Sequence, residues 1–306
     1  MTDRGTLAAD VAEELERPVF VLGCAWRCGG TLVQRVLSSG PELFVWGENV
    51  GMSTLLQTIE RRLATYEDRS AREWRDFQTR GTSAWIACLN PPFPDGVREA
   101  TRAFYRAYFE ARTRALGRRR WGFKEVRHGA ETAAFLADVF PACRVVFVLR
   151  SPVDVVASMA TRSWYAAAGG AVGVLRTWRA NTASLLDWSD PRLLTVRYET
   201  LIADPAAEVA RVARHLDLDP STLDLTLFAR PERGFQAAPA LGIEERRALA
   251  ERELVRIAAR AGYEVADDPR LRLIASTRTS LYLYARRVYL RTRRTLTRDP
   301  RARPQG

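Results

Sequence analysis

Lysine is almost absent from this chain of 306 residues. Of its 47 basic residues only Lys124, in the segment "RRRWGFKEVRHG", is a lysine. An ammonium is a compact point charge, and a planar guanidinium does not reproduce it. Two explanations for Lys124 therefore stand side by side: chance, or a site that requires an ammonium.

Histidine and cysteine are also scarce, with two and four residues respectively. The four cysteines, at 24, 28, 88 and 143, have a spacing that fits no zinc pattern. We therefore expect no metal site, and we interpret the cysteines as buried thiols in a reducing compartment rather than as disulfides.

Long apolar runs are missing as well. No stretch approaches the roughly 18–20 residues that a membrane span requires, and the first residues lack the basic start and apolar region of a signal peptide. With 47% hydrophobic and 27% charged residues, the composition is that of a globular protein. These features predict a cytoplasmic protein.

The net charge of +11 is unevenly distributed. Residues 286–303 contain eight arginines and one aspartate, so the remaining chain is only mildly basic. Together with the lack of a recognised module, this argues against a nucleic-acid partner. The segment 280–303 is predicted to form a basic amphipathic helix, which either contacts an anionic membrane or packs as a final helix with a solvated arginine face.

Apolar segments alternate with helical patterns along the chain. Strands are predicted over 19–22, 144–149 and 192–196, and two shorter ones end near residues 48 and 125. Helices are predicted over 53–66, 97–115, 129–139, 171–188, 242–262 and 279–297, among others. This alternation predicts an α/β fold with a parallel sheet.

Two predicted strand ends carry cationic turns. The segment "GCAWRCGGTL", residues 23–32, joins a strand to a helix in the manner of a phosphate-binding loop. Gly30 stands where a nucleoside-triphosphate loop has its lysine, and Arg27 is the nearest cation. Arg150 follows the strand 144–149, and Ser158 lies about two turns into the next helix. Open parallel sheets bind ligands beyond the carboxyl ends of their strands. Because both cationic turns lie at such ends, we predict a ligand with two separate anionic groups.

Four segments resemble motifs of the sulfotransferases that use 3′-phosphoadenosine 5′-phosphosulfate (PAPS). "FVLGCAWRCGGTLVQRVL" is similar to their 5′-phosphosulfate loop and "VVFVLRSPVDVVASM" to their 3′-phosphate motif. "WGFKEVRH" and "VRYETLIADP" resemble two further motifs. The likeness spans about residues 18–263. It departs from the family pattern at Cys28, Gly30 and Ser151, which replace Ser, Thr and Asp, and at Glu125 and Val126.

The resemblance implies a P-loop NTPase-like, three-layer α/β/α fold with a central parallel sheet. It also implies a sulfotransferase domain over 18–265. Outside the likeness, we expect an N-terminal extension over 1–17 and a basic C-terminal helix and tail over 266–306. PAPS is expected as the co-substrate, without a metal. The acceptor is expected to be a hydroxyl of a glycan, a lipid, a tyrosyl peptide or a small natural product.

The resemblance also implies residue roles. Arg27 and Lys124 are expected to stabilise the moving sulfuryl group, and Glu48 to act as the general base, with His128 as its rival. The residues expected to bind PAPS are Arg27, Cys28, Gly29, Gly30, Thr31, Leu32, Arg150, Ser158 and Tyr198.

Other assignments stay open at this stage. Trp26 is interpreted either as a pocket residue or as simply buried, and Arg233 is a weak candidate for a contact to the 3′-phosphate. Acceptor contacts are expected near 49–96 and 163–172. The alternative functions are a P-loop phosphotransferase that uses ATP and a non-catalytic nucleotide-binding scaffold. The sequence predicts no oligomeric state.

Overall fold

The computed structural model describes residues 17–90, 95–230 and 240–271. The predicted helix over 279–297, the basic segment 280–303, Arg233 and the first sixteen residues of the predicted N-terminal extension lie outside these ranges. Contacts divide the chain into two compact units, Met1–Val265 and Ala266–Gly306. Of the second unit, residues 266–271 are described and include a 3₁₀ turn at Pro269–Leu271.

Five parallel strands form the central sheet of the first unit. They are β1 (Val19–Gly23), β2 (Leu43–Trp46), β3 (Arg120–Glu125), β4 (Arg144–Leu149) and β5 (Leu193–Arg197), in the order β2-β3-β1-β4-β5. β1 and β3 are buried along their whole length, and β4 is buried except at its first residue. Near-continuous burial of this kind is typical of parallel strands covered on both faces.

Helices follow the strands. They are α1 (Gly30–Ser39), α2 (Met52–Ala64), α3 (Glu67–Arg80), α4 (Asp95–Tyr105), α5 (Ala111–Ala115), α6 (Ala130–Val139), α7 (Pro152–Met159), α8 (Gly170–Asp187), α9 (Tyr198–Ala203), α10 (Pro205–Leu216), α11 (Ile243–Leu249) and α12 (Arg252–Arg260). A π-helical segment, Arg106–Glu110, joins α4 to α5.

The helices cover both faces of the sheet. The β1–β2 connection runs towards one edge and the later connections run towards the other, so right-handed crossovers place α1 on the face opposite α6 and α8. Contacts agree with this division: α1 and α10 both touch the 3₁₀ turn Leu225–Ala229, whereas α6 touches α2, α4 and α8. The predicted three-layer α/β/α fold is confirmed.

An aromatic cluster fills the core on one side of the sheet. Phe20 of β1 lies 4.9 Å from Phe123 of β3, and Tyr105 of α4 stacks on Trp121 and Phe123 at about 6 Å between ring centroids. Such ring pairs add roughly 0.5–1.5 kcal/mol each beyond their buried area. The cluster fixes the sheet that positions the strand ends.

Two predicted helices need correction, and one helix was not predicted. The predicted helix 97–115 contains the π-helical segment, and the predicted helix 242–262 is two helices separated at Ala250 and Glu251. The helix α3 was not predicted, because its sequence "EDRSAREWRDFQTR" has too few apolar residues to show a clear buried face.

Candidate functional site

A cleft of about 510 Å³ opens beyond the carboxyl ends of β1, β3 and β4. The sheet order puts β1 between β3 and β4, and the chain leaves β1 and β4 towards opposite edges, which is where open parallel sheets bind ligands. The residues expected to bind PAPS all line this cleft, together with Glu48 and Lys124: Arg27, Cys28, Gly29, Gly30, Thr31, Leu32, Arg150, Ser158 and Tyr198.

The loop after β1 has an unusual backbone. Arg27 has a φ of 62° and Gly29 a φ of 100°, both in the left-handed region that L side chains rarely adopt. A Cβ on Gly29 would lie 2.2 Å from Cδ2 of Tyr198, so glycine is required by space as well as by φ. The loop then enters α1, which begins at Gly30. The first amides of a helix have no carbonyl partner within it, so they can donate hydrogen bonds to an anion.

The two cationic turns meet in the structure. Arg150 donates from Nη1 to the carbonyl oxygen of Arg27 at 2.9 Å, and Nε of Arg27 lies 3.3 Å from Oγ of Ser158. The guanidinium of Arg150 lies 4.3 Å from the centroid of the Tyr198 ring, and Trp178 donates to the Arg150 carbonyl at 2.9 Å. The Arg150 side chain is therefore held by the Arg27 carbonyl and the Tyr198 ring, Trp178 holds its backbone, and the residue lines the cleft.

Lys124 reaches the same cleft from β3. Lys124 is only 7% exposed. Its aliphatic stem lies over the loop, since a Cβ on Gly30 would be 3.2 Å from Cδ of Lys124. In the sequence, Gly30 replaces a threonine of the family pattern, so a hydroxyl group is missing there. The structure adds that a glycine at this position leaves room for the lysine stem.

Glu48 lies between two cations. One carboxylate oxygen accepts from Nζ of Lys124 at 2.6 Å, and the other accepts from Nη1 of Arg127 at 3.0 Å. Arg127 is bound in turn by Glu125 at 2.6 Å. The chain of charges Lys124–Glu48–Arg127–Glu125 fixes the orientation of the Glu48 carboxylate at the edge of the cleft.

Glu125 anchors this chain of charges from inside the protein. Its fully buried carboxylate accepts hydrogen bonds from the amides of Gly51 and Val126, both at 2.9 Å. Burial alone raises the pKa of Glu125, but these two amides and the charge of Arg127 hold the pKa below its ordinary value of 4.5. Sequence reasoning treated Glu125 as an interruption of a motif and missed this connection.

His128 lies elsewhere. It is fully buried, its Nδ1 is 3.4 Å from Oγ1 of Thr54, and its ring packs edge-on against Phe123. It does not line the cleft as the described residues form it. Burial lowers the pKa of His128, so the neutral ring is favoured.

Two thiols lie inside the loop. Cys24 and Cys28 are both buried. The neighbouring Cys24 thiol, the amide of Gly30 and the charge of Lys124 lower the pKa of Cys28 to about 7, against the opposing effect of burial. Burial, assisted by Cys28, raises the pKa of Cys24 well above its ordinary value.

Several residues of the site were missed from sequence. Asn181 of α8 donates from Nδ2 to the carbonyls of Gly23, Cys24 and Val126 at 2.9–3.3 Å, which ties the loop to the end of β3. A polar residue on the buried face of an otherwise apolar helix was the available signal. Further cations also line the cleft, from α1 and from later segments: Arg35, Arg162 and Arg230.

A second, smaller cleft of about 410 Å³ lies beside Glu48. Its lining is Trp26, Glu48, Arg127, Trp164, Ala167 and Ala168. Trp26, Glu48 and Trp164 line both clefts, so the two spaces meet at the Glu48 carboxylate.

No described helix has the length and hydropathy to span a membrane. No group of three or more His, Cys, Asp or Glu side chains in the described part of the chain is arranged to hold a metal ion.

The known proteins to which this chain is similar are sulfotransferases. The sequence model described as the sulfotransferase family matches residues 18–222, about two thirds of the chain. No curated protein matches the sequence. Three solved structures are similar: the sulfotransferase domain from the curacin biosynthetic pathway (13% identity, 82% of this chain and 99% of that chain, TM-score 0.48), the sulfotransferase domain from the olefin synthase of Synechococcus PCC 7002 (14%, 82% and 96%, 0.47) and sulfotransferase STF9 from Mycobacterium avium (18%, 84% and 79%, 0.45).

Proposed function

Because the chain belongs to the sulfotransferase family, we propose that it transfers a sulfuryl group from PAPS to an acceptor hydroxyl. In this proposal Arg27, Lys124 and the loop amides bind the 5′-phosphosulfate, Arg150 and Ser158 bind the 3′-phosphate, and Glu48 is the general base. The products are a sulfate ester and adenosine 3′,5′-bisphosphate.

The observation that carries the proposal is the convergence of two cationic turns in one cleft. Arg27 and Arg150 come from the ends of different strands, yet Arg150 hydrogen-bonds to the Arg27 backbone and both line the same space. Among the described residues, the buried Nε of Arg150 has no hydrogen-bond partner. A buried donor without an acceptor is costly, and a phosphate oxygen would supply the acceptor.

The reaction is a group transfer in which charge must be positioned and neutralised. The acceptor oxygen forms a bond to sulfur while the bond from sulfur to the bridging oxygen of the 5′-phosphate breaks. The electron pair of that bond stays on the 5′-phosphate, where Arg27 and Lys124 stabilise the charge. Glu48 takes the proton of the acceptor hydroxyl.

The choice of Glu48 over His128 rests on access. The Glu48 carboxylate lies at the edge of the cleft and is 28% exposed, whereas His128 is fully buried. A general base must reach the proton that it removes, directly or through one water. Glu48 satisfies this condition without a rearrangement of the fold.

Calorimetry with adenosine 3′,5′-bisphosphate tests the donor site. We expect the bisphosphate to bind without added metal and far more tightly than ATP, because only the bisphosphate has a 3′-phosphate for Arg150. Arg150→Ala should remove this preference. Arg179→Ala is the matched control, since Arg179 pairs with Glu251 outside the cleft. Tighter binding of ATP in the presence of Mg²⁺ would instead favour a phosphotransferase.

The base is tested by Glu48→Gln, which keeps the size of the side chain and removes its basicity. Turnover should fall by roughly 10²–10⁴, the usual contribution of general-base catalysis. The affinity for the bisphosphate should be retained. If Glu48→Gln keeps full turnover, Glu48 is not the base. Bisphosphate binding without turnover on any hydroxyl would point to a scaffold.

A further inference from the structure

The smaller cleft beside Glu48, which we call the slot, is lined mainly by aromatic and small side chains. Trp26 and Trp164 form a corner, with ring centroids 6.2 Å apart and planes at 70°. The Arg127 guanidinium lies 5.8 Å from the centroid of the Trp26 ring. A flat ring entering such a corner can stack on one indole and meet the other edge-on, the two arrangements that aromatic pairs favour.

Two small residues also line the slot. Ala167 and Ala168 come from the turns between α7 and α8, where methyl groups leave open the space that larger side chains would fill. These turns are fixed. Tyr165 hydrogen-bonds to Glu245 at 3.1 Å, and a Cβ on Gly173 would lie 2.1 Å from the carbonyl oxygen of Ala168. The slot is therefore a formed feature of the fold.

The charged groups of the slot already have protein partners. Of the described residues that line it, Glu48 and Arg127 are the ones with charged side chains, and they pair with each other and with Lys124 and Glu125. A ring that carries many hydroxyls presents less apolar face to the two indoles than a flat aromatic ring does. An aromatic ring with a single hydroxyl directed at Glu48 combines stacking on the indoles with access to the carboxylate.

We propose that the slot binds the acceptor and that the acceptor hydroxyl is carried by an aromatic ring. This inference rests on the proposed function, because the hydroxyl is placed between Glu48 and the donor cleft. A phenolic hydroxyl ionises near pH ~10, as tyrosine does, so its proton passes to a carboxylate more easily than that of an alkyl alcohol. The phenolic oxygen then bonds to sulfur, and the 5′-phosphate leaves with the electron pair.

A matched pair of acceptors tests the ring. 2-Naphthol and its fully saturated counterpart, decahydro-2-naphthol, share one carbon skeleton and differ in aromaticity. With saturating PAPS, we expect kcat/KM for 2-naphthol to exceed that for the saturated alcohol by at least about tenfold, about one stacked pair in free energy. A hexopyranoside should react more slowly still. Equal or faster reaction of either saturated compound would overturn the proposal.

A second comparison distinguishes a tyrosyl peptide from a free phenol as the acceptor. A peptide with one tyrosine presents an aromatic hydroxyl on a chain, whereas 2-naphthol presents it on a free small molecule. Whichever reacts with the higher kcat/KM identifies the source, and failure of both while an aliphatic alcohol is sulfated would contradict the inference.

Variants of the wall give a readout besides activity. Binding of 2-methoxynaphthalene, which has no reactive hydroxyl, is measured by ligand-observed NMR in the presence of adenosine 3′,5′-bisphosphate. Trp164→Leu should weaken this binding by about threefold to tenfold and raise the KM for 2-naphthol, and Trp164→Phe should restore most of the affinity. Trp85→Leu, a change at an exposed tryptophan outside both clefts, should have no effect.

The outcomes separate this inference from the proposed function. Loss of bisphosphate binding, or no sulfuryl transfer to any acceptor, would refute the proposed function. Sulfuryl transfer that is indifferent to aromaticity, or 2-methoxynaphthalene binding that Trp164→Leu leaves unchanged, would refute only the aromatic acceptor.

Discussion

Gly30 and Lys124 show how much of the site depends on pairs of residues that the sequence separates. The sequence identifies Lys124 as an exception among arginines and Gly30 as a departure from a motif. It does not show that the stem of one lies over the other. The residues at the strand ends were predictable because motif spacing fixes them on the loops. The contacts among Glu48, Arg127 and Glu125 were not, because they join side chains from two different strand ends.

Cys28 leads to a prediction about pH. Its pKa is lowered to about 7, so the thiolate fraction grows as the pH rises from 6 to 8. A thiolate in the loop after β1 would repel the 5′-phosphate of the proposed PAPS donor, and it would accept the hydrogen bond of the Gly30 amide. If only the thiol form binds, the affinity at pH 8 falls by up to about tenfold.

Calorimetry of adenosine 3′,5′-bisphosphate from pH 6 to pH 8 measures this effect, with Cys28→Ser as the reference. The phosphate itself titrates near pH ~6 in both proteins, so the difference between them isolates the thiol. Parallel pH curves for the two proteins would show that the Cys28 thiolate does not affect donor binding.

Glu125 is the residue that we expect to position the base. Glu125→Gln removes the charge that holds Arg127, and it turns one acceptor into a donor facing backbone amides. Turnover should fall while bisphosphate affinity is kept, and the free energy of unfolding at neutral pH should fall by about 1–3 kcal/mol.

The pH dependence of unfolding distinguishes charge from packing at Glu125. Its folded pKa lies below 4.5, so its contribution to stability is present above pH 4.5 and is lost as the pH falls through the folded pKa. Denaturant titrations should show a shallower acid loss of stability in Glu125→Gln than in the native protein. Turnover lost in step with bisphosphate affinity would indicate general damage rather than positioning of Glu48.

At the scale of elements, the sheet was predictable and parts of the helical layer were not. Continuous apolar, Val-rich runs identify β1 and β4, because strands buried on both faces leave that signature. The predicted strand 192–196 is confirmed as β5, but among its residues only Val196 is fully buried. The charged helix α3 and the break between α11 and α12 depend on tertiary contacts rather than on periodicity. The π-helical segment, likewise, places Phe109 in the aromatic cluster without any change of composition.

Asn181 links three elements and carries the next prediction. Its amide on α8 bonds to carbonyls at the end of β1, in the loop and after β3. Asn181→Leu keeps the approximate volume and leaves these buried carbonyls with fewer donors. We expect a loss of about 1–3 kcal/mol in the free energy of unfolding, together with weaker bisphosphate binding because the loop is no longer fixed. Ser184→Ala, on the same helix, should leave bisphosphate binding unchanged; an equal loss there would assign the effect to the helix as a whole.

At the scale of the whole molecule, the two clefts differ in how they attract their ligands. The described lining of the larger cleft has six cations, Arg27, Arg35, Lys124, Arg150, Arg162 and Arg230, against the carboxylates Glu48 and Asp154. The protein as a whole carries a net charge of +11. If the proposed function is correct, a highly anionic donor is drawn by charge over a distance, whereas an acceptor in the slot relies on aromatic contact.

This difference predicts opposite responses to salt. Raising the NaCl concentration from about 0.05 M to about 0.5 M shortens the Debye length to a few ångströms, so the KM for PAPS should rise several-fold. The KM for 2-naphthol, measured at saturating PAPS, should stay level or fall, because apolar contact does not weaken as charges are screened. Initial rates on a grid of donor, acceptor and salt concentrations give both values in one experiment. An equal rise in both KM values would mean that charge governs the acceptor as well, and that Arg127 rather than the tryptophan corner is its principal contact.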